Sequence, residues 1–215
     1  MVDPAQVTNY GMNQEQLEEF LLFAIAVAGH NADSTAKALQ FMLDTIGYNC
    51  PEKGPFGKIN WVLSQPNNRR YETPNYIFEN GDFSLFEYVM HSGLGCHMKT
   101  TFGFKQIANS GFNLRTVTPA QLETIHGIGP KTARFFVLHT QENTRYAVLD
   151  THILKWLRTK GYLAPKTTPI GRRYAELEKM FLKEADIMGT NPAELDLAIW
   201  NFYHKSPKIT IPVRD

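Results

Sequence analysis

Apolar residues recur at helical spacing along most of the chain, and the breaks between the runs carry capping signals. Asn13-Gln14-Glu15-Gln16 offers an N-cap and a third-position amide able to close a capping box. Leu17, Phe20, Leu21, Phe23, Ala24, Ile25, Val27 and Ala28 then make a helix apolar around most of its circumference, which predicts burial. Gly29-His30-Asn31-Ala32-Asp33 ends it, and Ala36, Ala38, Leu39, Phe41, Met42 and Leu43 predict a second helix over about residues 34–46. Between 50 and 80 the helical period is lost. Pro51, Gly54, Pro55, Gly57, Pro66 and Pro74 predict an irregular excursion, with Asn67-Asn68-Arg69-Arg70 in its middle. The period returns over about 82–91 and about 98–110, with Ser92-Gly93-Leu94-Gly95 between the two helices.

In the C-terminal part, Gly161 stops one helix, residues 165–171 read as a linker, and an amphipathic helix is predicted over about 172–187. Asn191-Pro192-Ala193-Glu194 opens the last helix, on Leu195, Leu197, Ala198, Trp200 and Tyr203. Residues 206–215 are strand-like and are expected to be loosely ordered. There is no internal repeat and no βαβ rhythm, so the class is mainly α.

One stretch carries candidate chemistry. Thr118-Pro119-Ala120-Gln121 gives an N-cap, a first-position proline and a capping-box amide, predicting a short helix over about 119–126. Ile125-His126-Gly127-Ile128-Gly129-Pro130-Lys131-Thr132-Ala133 then reads as helix end, tight glycine turn and a second helix over about 130–138. The first turn of that helix leaves backbone N–H groups unpartnered and positive in potential, so it can hold a phosphate, which the glycines allow to come close. Lys131 stands in the same turn, and an amine becomes a nucleophile where its surroundings favour the neutral form. Nineteen positions further on, Asp150 in Val148-Leu149-Asp150-Thr151-His152-Ile153 precedes the pattern Ile153, Leu154, Trp156, Leu157 and reads as an N-cap.

Composition narrows the class. Of 215 residues 43% are hydrophobic and 20% charged, an ordinary globular profile. There is no run of about 18 apolar residues and no secretory pattern at Met1-Val2-Asp3-Pro4, so an intracellular protein (cytoplasm or nucleoid, or nucleus) without membrane association is expected. Cys50 and Cys96 are the only cysteines, too few for a disulfide framework or a four-cysteine metal or iron–sulfur site. The net charge of +1 hides an asymmetry: residues 1–130 hold 8 Lys+Arg against 12 Asp+Glu, residues 131–215 hold 14 against 9. The basic half begins at Lys131, which is modest support for nucleic-acid contact; its alternative is that Lys155, Lys160, Lys179 and Lys183 are solvated helix faces.

The segment 118–161, with GIGPKTA followed by LDTHI, resembles the helix-hairpin-helix (HhH-GPD) DNA glycosylase superfamily, and most of all its bifunctional members, endonuclease III and the 8-oxoguanine DNA glycosylases. The resemblance places the family's nucleophilic lysine on Lys131 and its catalytic aspartate on Asp150. It implies two helical lobes with a central DNA-binding cleft: a central domain of residues 31–139, and a second domain of 1–30 with 140–215. It implies DNA contacts at Gly127, Gly129 and Thr132, and at the turn holding His30 and Asn31, where the family often carries a residue that fills the gap left by an extruded base. For His30 and Asn31 the structural alternative is a helix cap and turn. Two departures stand out. The connection 140–149 contains neither Gly nor Pro, and no cysteine follows Cys96, so the iron–sulfur cluster of many endonuclease III relatives has no ligands here.

The activity this implies is excision of an oxidised base from double-stranded DNA, 8-oxoguanine favoured, through a lysine Schiff base and β-elimination. No cofactor or metal is called for, and the protein is expected to be monomeric. A hydrolytic glycosylase, an endonuclease III-type enzyme for oxidised pyrimidines and a non-catalytic DNA-binding module stay open beside it.

Overall fold

The computed structural model describes residues 1–65 and 84–205, apart from the side chains of His204 and Lys205. Among these residues there are ten α-helices and no strand: α1 (Gln14–Ala26), α2 (Ala32–Gly47), α3 (Pro55–Ser64), α4 (Leu85–His91), α5 (His97–Ala108), α6 (Pro119–Leu122), α7 (Pro130–Thr140), α8 (Thr151–Thr159), α9 (Gly171–Met188) and α10 (Pro192–Lys205). The mainly α class is as expected. Contacts divide the chain into two compact units, Met1–Thr144 and Arg145–Asp215.

The first unit is built around α1. Asn13 closes the capping box with Gln16, each side chain accepting the other's backbone N–H at 2.9 Å. Every residue from Phe20 to Ala26 is buried, and α1 packs on α2, α3, α5 and α7. The Phe20 ring lies 5.3 Å from that of Phe135 and 5.9 Å from that of Phe136, both on α7. Burying a side chain of this kind contributes about 1.5–3 kcal/mol. The hairpin helix α7 is thus seated on α1, in which eight of thirteen residues are buried. The N-terminal helix makes these contacts inside the first unit, whereas the expected domain division groups residues 1–30 with the C-terminal helices.

Three elements differ from the predicted ones. The region read as irregular contains α3: Pro55 takes the first helical position, where its missing N–H costs nothing, and Ile59 and Val62 supply a buried face. The first helix of the hairpin is a single turn, because after Leu122 the chain continues in tight i→i−3 turns, Thr124 N to Gln121 O and Ile125 N to Leu122 O. Helix α7 runs through His139 and Thr140, both buried despite their polarity. His139 is paired through Nδ1 with Thr8 Oγ1 at 2.7 Å, and Thr140 Oγ1 donates to Phe136 O at 2.7 Å. The predicted helix start at 82, the Asn67–Arg70 run and the strand-like tail lie outside the described residues.

In the second unit, α8, α9 and α10 enclose a core of Leu149, Ile153, Leu154, Leu157, Tyr174, Leu177 and Phe181. Trp156 meets Phe181 edge-on at 6.0 Å. Among the described residues no helix is long and apolar enough to cross a membrane.

Candidate active site

The hairpin occupies residues 118–140 of the first unit. Thr118 caps α6 through a capping box with Gln121, whose Oε1 accepts the Thr118 N–H at 2.9 Å. Ile125 and Ile128 are both buried and anchor the two sides of the turn. Between them Gly127 adopts φ +82, a left-handed backbone that costs a residue with a Cβ about 1 kcal/mol or more. Gly129 has a different reason to be glycine. Its φ of −98 and ψ of 179 suit any residue, and a Cβ there would meet nothing within 4 Å.

That open space matters, because Gly129 is the N-cap of α7. A Ser or Asp would fit and would bond the orphan N–H groups of the first turn; with glycine there is no side-chain cap. The first turn therefore presents its backbone donors outward, beside Lys131. Lys131 is half-buried and has no hydrogen bond or ion pair among the described residues. Thr132, next to it, is buried at 6% exposure. Arg134 bonds Glu123 at 2.8 Å and the Pro130 carbonyl at 3.3 Å, tying α7 to the end of α6.

Helix α5 supports the turn from behind. Gln106 Oε1 accepts the His126 N–H at 2.6 Å, and the ring of Phe102 meets that of His126 at 5.7 Å. Gly103 is placed so that a Cβ would lie 2.9 Å from the His126 carbonyl oxygen, hence backbone packs on backbone there. These residues are spaced along one helix face, and none was singled out from the sequence. A glycine inside a helical run was the available signal, since it marks a close approach.

Asp150 lies in the second unit, where it is the N-cap of α8 as predicted. Its Oδ1 accepts the N–H groups of His152 and Ile153, each at 2.8 Å. A helix start stabilises negative charge, so the cap and an anionic catalytic role are compatible. The three residues leading to it are held from α9 and its approach. Tyr174 Oη donates to Ala147 O at 2.7 Å and accepts the Leu149 N–H at 3.3 Å. Glu178 Oε1 accepts the Ala147 N–H at 3.0 Å, and Thr168 Oγ1 donates to Leu149 O at 2.9 Å. Nothing in the sequence pointed to this clamp, because its members lie 19 to 31 positions from the backbone groups they bind.

At the α1–α2 turn, Asn31 is the N-cap of α2: its Oδ1 accepts the Ser34 N–H at 3.0 Å. The capping alternative therefore describes Asn31. His30 is exposed and leans on Gly95, where a Cβ would collide with its ring.

No family model matches the chain. It is 34% identical over 79 residues to the 8-oxoguanine DNA glycosylase/AP lyase of Picrophilus torridus, and 35% identical over 79 residues to that of Thermoplasma volcanium. In each case the matched stretch spans 37% of this chain and 37% of the curated relative. The solved structure of the Thermotoga maritima 8-oxoguanine DNA glycosylase superposes with a TM-score of 0.62 at 20% identity, over 89% of this chain and 81% of that one. The Methanocaldococcus jannaschii 8-oxoguanine glycosylase/lyase, solved with a 15mer DNA containing 8-oxoguanine, gives a TM-score of 0.60 at 20% identity, over 91% and 84%. These superpositions show that the chain shares the fold of the 8-oxoguanine DNA glycosylases they come from.

The path from α7 to Asp150 lacks both Gly and Pro, a departure from the pattern of the family the sequence resembles. Asn143 resolves this. It takes φ +60, the left-handed conformation that asparagine tolerates better than most residues and that glycine supplies elsewhere.

Proposed function

We propose that this chain is a DNA glycosylase with AP lyase activity that removes an oxidised base, 8-oxoguanine favoured, from double-stranded DNA. The observation that carries the proposal is the uncapped start of α7, open at Gly129 and flanked by a half-buried Lys131 that no hydrogen bond or ion pair holds among the described residues. Leaving a helix start without a cap forgoes a few tenths of a kcal/mol or more, and a sugar-phosphate strand is the ligand that recovers it. The names of the matched relatives and the superfamily's fold support the same reading.

In the proposed reaction the damaged nucleotide rotates out of the duplex, at a cost of a few kcal/mol that is least for damaged bases. Lys131, as a neutral amine, attacks C1′. The C1′–N bond to the base breaks, and the base leaves with the proton that Lys131 loses, passed on through Asp150. Asp150 stabilises the positive charge that develops on the sugar and takes up the proton lost by Lys131. The C1′–O4′ bond then opens, O4′ taking up a proton from solvent, and the protonated Schiff base so formed acidifies C2′, whose proton is lost as the 3′ phosphate leaves. Gly127, Gly129 and Thr132 hold a phosphate through backbone N–H groups at the hairpin, and His30 reaches the DNA from the α1–α2 turn.

The test is borohydride trapping on a panel of single-lesion duplexes and on abasic DNA. A covalent protein–DNA adduct is expected, greatest on 8-oxoguanine, and absent from Lys131→Gln. No adduct on any substrate would defeat the lyase reading, and full base release by Lys131→Gln would reduce Lys131 to a DNA contact.

A further inference from the structure

One cation beside the hairpin has no task in the reading above. Lys99 is in the first turn of α5, on the face that carries Phe102, Gly103 and Gln106 against His126. Its aliphatic stem lies directly over Gly127: a Cβ at that glycine would sit 2.9 Å from both Cγ and Cε of Lys99. The stem is thus laid along the turn, and the ammonium, one bond beyond Cε, is delivered to the hairpin's edge. Lys99 is half-buried, yet no hydrogen bond, ion pair or ring contact holds it among the described residues. The acid nearest in the hairpin's sequence, Glu123, is already paired with Arg134.

A lysine whose stem is packed and whose charge has no counter-ion is poised for an external anion. Packing the stem removes much of the rotamer freedom that a phosphate contact otherwise has to freeze. We propose that Lys99 is a second cationic contact for the DNA strand, meeting a backbone phosphate at the hairpin alongside the one held by the N–H groups of α7. This rests on the glycosylase reading and extends it. Gly127 then has two reasons to lack a side chain, its backbone angle and the passage of Lys99 across it. A phosphate contact of this kind positions the strand and reads no base. Its loss weakens binding to damaged and undamaged DNA alike.

The experiment measures binding of the full chain to two duplexes, one undamaged and one bearing a tetrahydrofuran abasic analogue, across a salt series. Lys99→Met keeps the stem over Gly127 and removes the charge; Lys99→Gln serves as a second neutral variant should the first not fold. The expected result is an affinity lower by about 3–10-fold on both duplexes at ~0.1 M salt, with the slope of log K against log salt shallower by about 0.9. Lys99→Arg should restore both. Wild type that binds while the neutral variants keep its salt slope, or a loss confined to the abasic duplex, overturns the contact alone. Wild type that binds neither duplex overturns the glycosylase reading, and the contact with it.

Discussion

The starts of α7 and α8 are opposites. At α8, Asp150 satisfies two backbone N–H groups with its own carboxylate; at α7, Gly129 satisfies none and leaves room for a cap that is not there. A filled helix start is explained by folding alone, so chemistry at Asp150 is proposed only from the resemblance of the sequence. An empty one is a deficit within the fold, and it points outward to whatever fills it. The two residues proposed for catalysis thus rest on different kinds of argument, and they should respond differently to substitution.

The largest effects are expected at those residues. Lys131→Gln should abolish the trapped adduct and strand cleavage without lowering the melting temperature, since Lys131 makes no hydrogen bond or ion pair to lose among the described residues. Asp150→Asn retains a good cap while removing the charge. It should slow base release by about 10²–10³-fold in single-turnover assays with the melting temperature near wild type. A variant that melts early while keeping its rate would make Asp150 a cap and nothing more.

Gly129→Asp turns the contrast around by making the α7 start resemble that of α8. A carboxylate there caps the helix, so stability should hold or rise by a few tenths of a kcal/mol, and DNA affinity should fall by about 10–100-fold through repulsion of phosphate. Thermal melts and anisotropy titrations on the same preparation decide it; unchanged affinity would mean that the open start serves no anion. Tyr174→Phe removes two hydrogen bonds from the segment leading to Asp150 and should cost about 1–2 kcal/mol in chemical denaturation.

The smallest effect is one of acidity. The hydrogen bond from Tyr162 to Glu184, 2.7 Å long, together with Lys160, holds the Glu184 carboxyl below its usual range and raises the Tyr162 hydroxyl above its own. Because the folded state binds the Glu184 proton less readily than the unfolded chain does, this contribution is complete above the ordinary carboxylate range. It is lost as the pH falls through the depressed value. The Tyr162 contribution is lost at the other end, as the pH rises past the ordinary tyrosine range. Tyr162→Phe should therefore flatten the acid limb of a stability–pH curve; an acid limb identical to that of wild type would show the pair to be inert.

Much of this was legible in the residues and some was not, for identifiable reasons. Capping chemistry is local, so Asn13, Thr118 and Asp150 were placed correctly from their neighbours. Pro55 was read as a breaker when it is a helix opener, since proline gives both signals and only the later Ile59 and Val62 decide between them. The predicted helix stops at about residue 138, before the polar His139, yet His139 is fully buried, with Thr8 from the other end of the unit as a partner. The same limitation hid the Tyr174 clamp and the α5 support: long-range pairings leave no trace in spacing. Of the stretch 50–80, residues 66–80 lie outside the described ones.

The contact at Gly103 has a consequence for how such a site could be altered. Where side chains meet, a misfit can be absorbed by rotation about their bonds; where one main chain rests on another, there is nothing to rotate. The gap between α5 and the His126 carbonyl is fixed by the thickness of two peptide backbones, so a methyl group added there would act as a shim, lifting the glycine turn off its bed.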